Sequence, residues 1–274
     1  MRNYILLIFQ CFWMLPAFSQ QAQNLNARGI SLSGTDACYF GTWTASQNPA
    51  ALALKPWMVL GINYYNRFLI PELGSQSVFG VLNFHGFWGY SLNYFGTHAF
   101  NTSSFSVAYG QKIFHWLNAG INLKGHRFAV EALKERSYGI TGDVGLLFKP
   151  GNDVLIGLHL LNPNRSDFNG TEGEYIPAEV DLGIAWYRES DFYLSAQFHW
   201  LDYSEWHLSL GAEYWIVKLM SVRVGIKMGN VKSYSYGLAF HQKKIGIAIG
   251  FEQHTCLGMS SAITATYNFT GDAD

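Results

Sequence analysis

Residues 191–216 read DFYLSAQFHWLDYSEWHLSLGAEYWI. From Phe192 onward every second residue is bulky or apolar: Phe192, Leu194, Ala196, Phe198 and Trp200. Between them stand Tyr193, Ser195, Gln197 and His199. After a short break the pattern returns, with Trp206, Leu208, Leu210, Ala212 and Tyr214 set against His207, Ser209, Gly211 and Glu213. A period of two is that of a β-strand with unlike faces. Both a soluble sandwich and a membrane-spanning barrel produce it, so the rest of the chain has to decide between them.

Composition speaks against a water-facing surface. Charged residues are 14% of the 274 and aromatics 16%, where soluble domains carry about 25% charged residues. The net charge of −1 gives no electrostatic case for a nucleic-acid partner. Residues 1–19 have the form of an export signal: Arg2, the apolar stretch YILLIFQCFWMLPAF (4–18), and small residues Ala17 and Ser19 before a cleavage expected near Ser19-Gln20. Cys11 follows the bulky Phe9 and Gln10 inside that stretch, so lipidation is not expected. After residue 20 there is no unbroken apolar run of about 18 residues. Membrane insertion would then require strands that close into a barrel.

Strand-like segments continue to the end of the chain. The alternation places them at 57–65, 75–84, 86–95, 102–111, 114–126, 136–149, 153–162, 178–188, 191–201, 205–215, 219–229, 232–242, 244–252 and 259–269. Lengths near ten residues suit tilted strands crossing a bilayer. Every second connection is tight, as at His85-Gly86, Lys112-Ile113, Glu189-Ser190 and Lys243-Lys244. The others are mostly longer, as at 66–75, 96–102, 127–136, 162–177 and 253–259. Tight turns at one end and long loops at the other are the pattern of outer-membrane barrels. Trp57, Trp88, Trp186, Trp200, Trp206 and Trp215 fall near strand ends, as interfacial girdles require. The fold expected is all-β: a transmembrane antiparallel barrel of about fourteen strands over 57–269, embedded in outer-membrane lipid, with a tail at 270–274.

Residues 20–56 do not alternate and are rich in Gly, Ala, Ser and Thr. Asn48 before Pro49 favours an extended residue followed by a fixed turn. Such a segment either lies in the periplasm or packs in the lumen. Asn26-Ala27-Arg28-Gly29 followed by Gly34, then Asn48-Pro49-Ala50-Ala51-Leu52, resembles the N-terminal pattern of the FadL-like outer-membrane barrels, which include the PorV/PorQ-type barrels of the type IX secretion system. The resemblance covers residues 26–52 and departs at Leu32-Ser33-Gly34, where the family has a double glycine. It implies a plug or hatch inside the barrel, with Arg28, Gly34, Asn48, Pro49 and Ala50 as elements of that plug. Arg28 is expected to pair with Asp143, Asp181 or Glu213. The resemblance further implies movement of a small hydrophobic compound past the plug. Its alternative is an accessory barrel that binds or shuttles a secreted protein.

The face opposite the apolar one carries sparse charge among small residues. The lumen-facing set is Lys124, His126, Asp143, His159, Asp181, Gln197, His199, Glu213, Arg223 and Lys227, with Glu252 and His207 beside them. Opposite charges are expected to pair across strands. No two histidines have metal-ligand spacing, and there is no Gly-x-Ser-x-Gly or phosphate-binding glycine loop. Neither enzymatic activity, nor a metal, nor a cofactor is expected. Cys38 and Cys256 fall in distant segments and are expected as separate thiols.

Overall fold

A computed structural model of the protein describes residues 25–39, 46–54, 58–131, 134–167, 176–188, 191–202 and 205–269. The expected export segment, Trp57 and the tail 270–274 lie outside them. The strands are β1 (Val59–Asn66), β2 (Gly74–Asn83), β3 (Phe87–Gly96), β4 (Phe100–Phe114), β5 (Leu117–Val130), β6 (Glu135–Phe148), β7 (Val154–Leu161), β8 (Glu179–Arg188), β9 (Phe192–Leu201), β10 (Glu205–Val217), β11 (Met220–Gly229), β12 (Ser233–Gln242), β13 (Ile245–His254) and β14 (Gly258–Asn268). Each pairs antiparallel with the next, and β14 closes on β1 from Val59 opposite Asn268 to Asn66 opposite Ser261. The fourteen-stranded antiparallel barrel is therefore closed and has no free edge.

Alternation decides which way each side chain points. In β12 the buried residues are Ser233, Ser235, Gly237 and Ala239, and the exposed ones are Tyr234, Tyr236, Leu238 and Phe240. In β9 Leu194, Phe198 and Trp200 are exposed, whereas Tyr193, Ser195, Gln197 and His199 are buried. The outer wall is thus a belt of large apolar side chains, and each would cost about 1.5–3 kcal/mol to leave in water. On a closed barrel such an apolar outer belt is the surface that meets lipid. The chain is an outer-membrane barrel.

Two expectations need correction. Trp215 shares the parity of Glu213 and packs against a core cluster inside the barrel, not in the girdle. Several loops expected to be long are short because the strands beside them run on. β4, β5 and β6 reach 15, 14 and 14 residues, which leaves only 97–99 and 131–134 as connections. Pairing continues to Phe100 opposite Val130 and Val130 opposite Glu135, so every residue added to one strand gains backbone partners from its neighbour. Phe100 edge-on to Phe128, with ring centroids 5.1 Å apart, adds a cross-strand contact to that extension.

The barrel's faces make a measurable difference. Leu194→Arg puts a charge on the lipid side and should cost about 2–4 kcal/mol. Ser104→Arg, on the roomy inner wall of β4, should cost clearly less. Equal losses in a lipid-vesicle refolding titration would mean the faces are reversed.

Orientation is testable with the chain's own thiols, since Cys38 is buried and Cys256 exposed, and both are free. Burial pushes the Cys38 thiol up to about 12, so it is a poor nucleophile. A membrane-impermeant maleimide should label Cys256, in the 255–257 loop, on intact cells. In a Cys256→Ser background, Gly151→Cys in the 149–153 turn should react only after the outer membrane is opened. Labelling of Gly151→Cys on intact cells would invert the barrel.

Candidate functional site

The segment before β1 folds locally for identifiable reasons. Helix α1 (Ala27–Ser31) is capped by Asn26, whose side chain accepts from Gly29 N at 2.6 Å. It ends where Gly34 takes the left-handed conformation at φ 77° and donates its N–H to Gly29 O at 2.8 Å, an arrangement that suits glycine. Asn48 is fully buried. Its Nδ2 donates to Ala37 O at 2.8 Å and to Leu146 O at 3.2 Å, and its Oδ1 accepts from Ala50 N at 3.1 Å. Asn48 thereby ties the first part of the segment to the 3-10 helix Pro49–Leu54 and both to β6.

This segment occupies the lumen. Leu32, Cys38, Ala50 and Ala51 share a core cluster with Leu147, Leu155, Ala185, Tyr187 and Tyr193. Leu52 packs with Val59, Val81 and Ala108, and Ala27 and Ile30 pack with Tyr65 and Ala262. Every core cluster of the described residues therefore contains part of the N-terminal segment. The first two lie toward the tight-turn end.

A girdle of inward glycines receives the segment. A Cβ at Gly110 would lie 2.6 Å from Pro49 O, one at Gly211 would lie 2.8 Å from Thr35 Oγ1, and one at Gly225 would lie 2.7 Å from Ser33 Oγ. At Gly120, Gly145, Gly157, Gly237 and Gly250 a Cβ would run into Pro49, Asn48, Ala37, Ser31 and Ala27 respectively. Several of these glycines face one another across strands: Gly110 opposite Gly120, Gly120 opposite Gly145, Gly157 opposite Gly183, Gly211 opposite Gly225, and Gly237 opposite Gly250. Polar bonds complete the fit, from Ala27 N to Thr264 Oγ1 at 2.9 Å, Ser33 Oγ to Ser235 Oγ at 3.0 Å, Ala37 N to Gln197 Oε1 at 2.8 Å and Ser195 Oγ to Thr35 Oγ1 at 2.7 Å.

The inward charges form three groups. Arg28 Nε donates to Glu213 Oε2 at 2.9 Å, and Arg223 Nε to Glu213 Oε1 at 2.7 Å, so one carboxylate holds two guanidinium groups. Ser221 Oγ also donates to it, at 2.8 Å, and the Arg28 guanidinium lies 3.7 Å from the Tyr39 ring and 4.5 Å from that of Tyr193. Of the three partners expected for Arg28, the structure selects Glu213. The second group joins Lys124 to Asp143 at 2.6 Å, and Asp181 to His199 at 2.6 Å and His159 at 3.8 Å. His126 bonds Thr141 at 3.0 Å. In the third group Lys227 meets Glu252 at 3.2 Å.

Beyond the segment, toward the long-loop end, the lumen opens into a cavity of about 160 Å³. It brings together Lys124, His126, His159, Asp181, Gln197 and His199 of the residues singled out from sequence. Glu213 and Arg223 are not in its wall, and neither are Arg28, Gly34, Asn48, Pro49 and Ala50, which belong to the packed segment. Two charged wall residues were not among those singled out: Asp36 and Glu179. Glu179 has the parity of Asp181 and Gly183, so extending the β8 alternation by one pair would have found it. Asp36 stands in a non-repeating stretch, where no periodicity marks a direction. Burial holds the Asp36 carboxyl up at about 7, with Arg28 offsetting part of that and Asp181 adding to it.

A FadL homologue of Pseudomonas aeruginosa superposes with a TM-score of 0.68 at 12% identity, over 89% of this chain and 98% of that one. The fold is that of the FadL-type outer-membrane barrels. The Pseudomonas putida toluene transporter TodX gives a TM-score of 0.62 at 12% identity, covering 89% of this chain and 97% of its own. A TodX deltaS2S3 mutant, described as a monoaromatic hydrocarbon channel, gives 0.66 at 12% identity over 91% and 99%. No protein-family model and no curated protein matches the sequence. At such identity the FadL-type likeness is one of backbone architecture.

Proposed function

We propose that the protein is an outer-membrane transport barrel in which residues 20–56 act as a plug that gates passage of a small molecule. The observation that carries this reading is the apolar packing of the segment toward the tight-turn end, with a cavity toward the other. A barrel that served only as a membrane anchor would have no use for a cavity above a removable segment. The segment is removable in principle because, among the described residues, its contacts with the wall are hydrogen bonds involving side chains and van der Waals contacts, and it adds no strand to the barrel. Arg28, Gly34, Asn48, Pro49 and Ala50 are its structural elements: Arg28 anchors it to Glu213, Gly34 and Asn48 shape it, and Pro49 and Ala50 rest on the glycines of β4 to β6. Planar-bilayer conductance with and without residues 24–54 is the test.

The names of the structural neighbours favour an apolar cargo, as toluene is for TodX. The alternative role, a PorV/PorQ-type accessory barrel for secreted proteins, has no supporting feature among the described residues.

A further inference from the structure

The cavity wall has more carboxylate than its own cations can satisfy. Lys124 is committed to Asp143, and Asp181 to His199 and His159. Of the two cations that act on Asp36, Arg28 is committed to Glu213 through Nε, though its Nη1 has no hydrogen-bond partner, and Lys227 is committed to Glu252. Asp36 and Glu179 remain. They are 8% and 6% exposed, both line the cavity, and among the described residues neither makes a side-chain hydrogen bond or ion pair. Asp36 Oδ1 is buried without any partner. Two neutral acceptors on the same wall, Gln47 Oε1 and Asn93 Oδ1, are also without a donor. Buried acceptors left without donors are costly, and an ionised carboxylate is the most costly of them.

We propose that this cavity is a binding site for a small organic cation, an amine or guanidinium compound whose N–H groups donate to Asp36 and Glu179. The volume sets the size: a cavity of about 150 Å³ takes a molecule as large as benzene. Asn93 and Gln47 supply the neutral acceptors, and Leu25, Phe95 and Leu161 supply apolar wall for the ligand's carbon skeleton. An anion is disfavoured, because Lys124, His126 and His199 already have partners in the chain, and of the wall's basic groups among the described residues only His159 has a buried ring nitrogen, Nε2, without one. This assignment departs from the apolar cargo that the neighbours' names favour, because it follows this chain's own cavity wall, and it draws on the transport reading only for the route.

Isothermal titration calorimetry on full-length protein in detergent, near neutral pH, tests it with 1,4-diaminobutane, butyrate and toluene as probes. The diamine should bind saturably and the other two should not compete. Asp36→Asn and Glu179→Gln should each weaken diamine binding on the order of tenfold or more, the loss of one charge-assisted hydrogen bond. Heat-modifiable migration in gels checks that each variant is folded. Folded variants that bind the diamine like the parent would overturn the site. If neither variant folds, the unmodified protein decides: butyrate or toluene binding as tightly as the diamine overturns it. Conductance that rises on removal of the plug, without any diamine binding, would reject this site and leave the transport reading standing.

Discussion

Protein lacking residues 24–54 should fold as a barrel and conduct ions steadily, while the full chain stays near-silent in the same planar bilayer. Eight strands already enclose an interior that side chains can fill, and diameter grows with strand number. Fourteen strands lined by Gly, Ser and Ala cannot close their own lumen. In the proposed reading it is closed by the segment that contributes to every core cluster of the described residues. A point variant gives a graded version of the same result. Gly120→Leu drives a side chain into Pro49 and toward Ala50 N, which lies 2.6 Å from the Cβ position. It should loosen the segment and raise conductance part of the way. Gly125→Leu, five residues on and with nothing within 4 Å, should change nothing. A full chain that conducts like an open porin, unaltered by the deletion, would sink the plug and the transport reading together.

How much of this was legible in the sequence follows from which features repeat. Alternation is a two-residue signal sustained over ten residues and renewed fourteen times, so strand existence and facing were readable from the opening stretch onward. Strand ends were not, because alternation does not stop where the bilayer stops. At the long-loop end β4 to β6 continue through Phe100 and Asn101, through Arg127 to Val130, and into Glu135, where pairing with a neighbour keeps the chain extended. The inward glycines could be read as room for a plug, since alternate glycines on one face leave a hollow. Which plug residue fills which hollow depends on the path of a segment with no period. The same limit hid Asp36, and it left Arg28 with three candidate partners when only Glu213 lies in reach. Trp215 failed for a different reason: proximity to a strand end was weighed above its parity with Glu213.

Glu213→Gln should be the most damaging single change in the lumen. The Glu213 side chain is 1% exposed and answers two buried guanidinium groups at 2.9 and 2.7 Å. Its neutral amide keeps the volume but turns an acceptor toward donors into an NH₂ group, and leaves two cations uncompensated. Removing one partner of a buried pair costs about 3–5 kcal/mol, and here the remaining charges also repel each other. Arg28→Met should cost less, because Glu213 keeps Arg223 and Ser221 Oγ. The informative comparison crosses Glu213→Gln with deletion of residues 24–54. Without the segment Arg28 is gone and water reaches Arg223, so both sources of the penalty shrink. Unfolding from lipid vesicles should therefore show a large loss in the full chain and a small one in the shortened chain. The difference between the two measures the coupling of plug to wall. Equal losses in both backgrounds would mean that Glu213 stabilises the barrel wall by itself and that Arg28 does not anchor the plug.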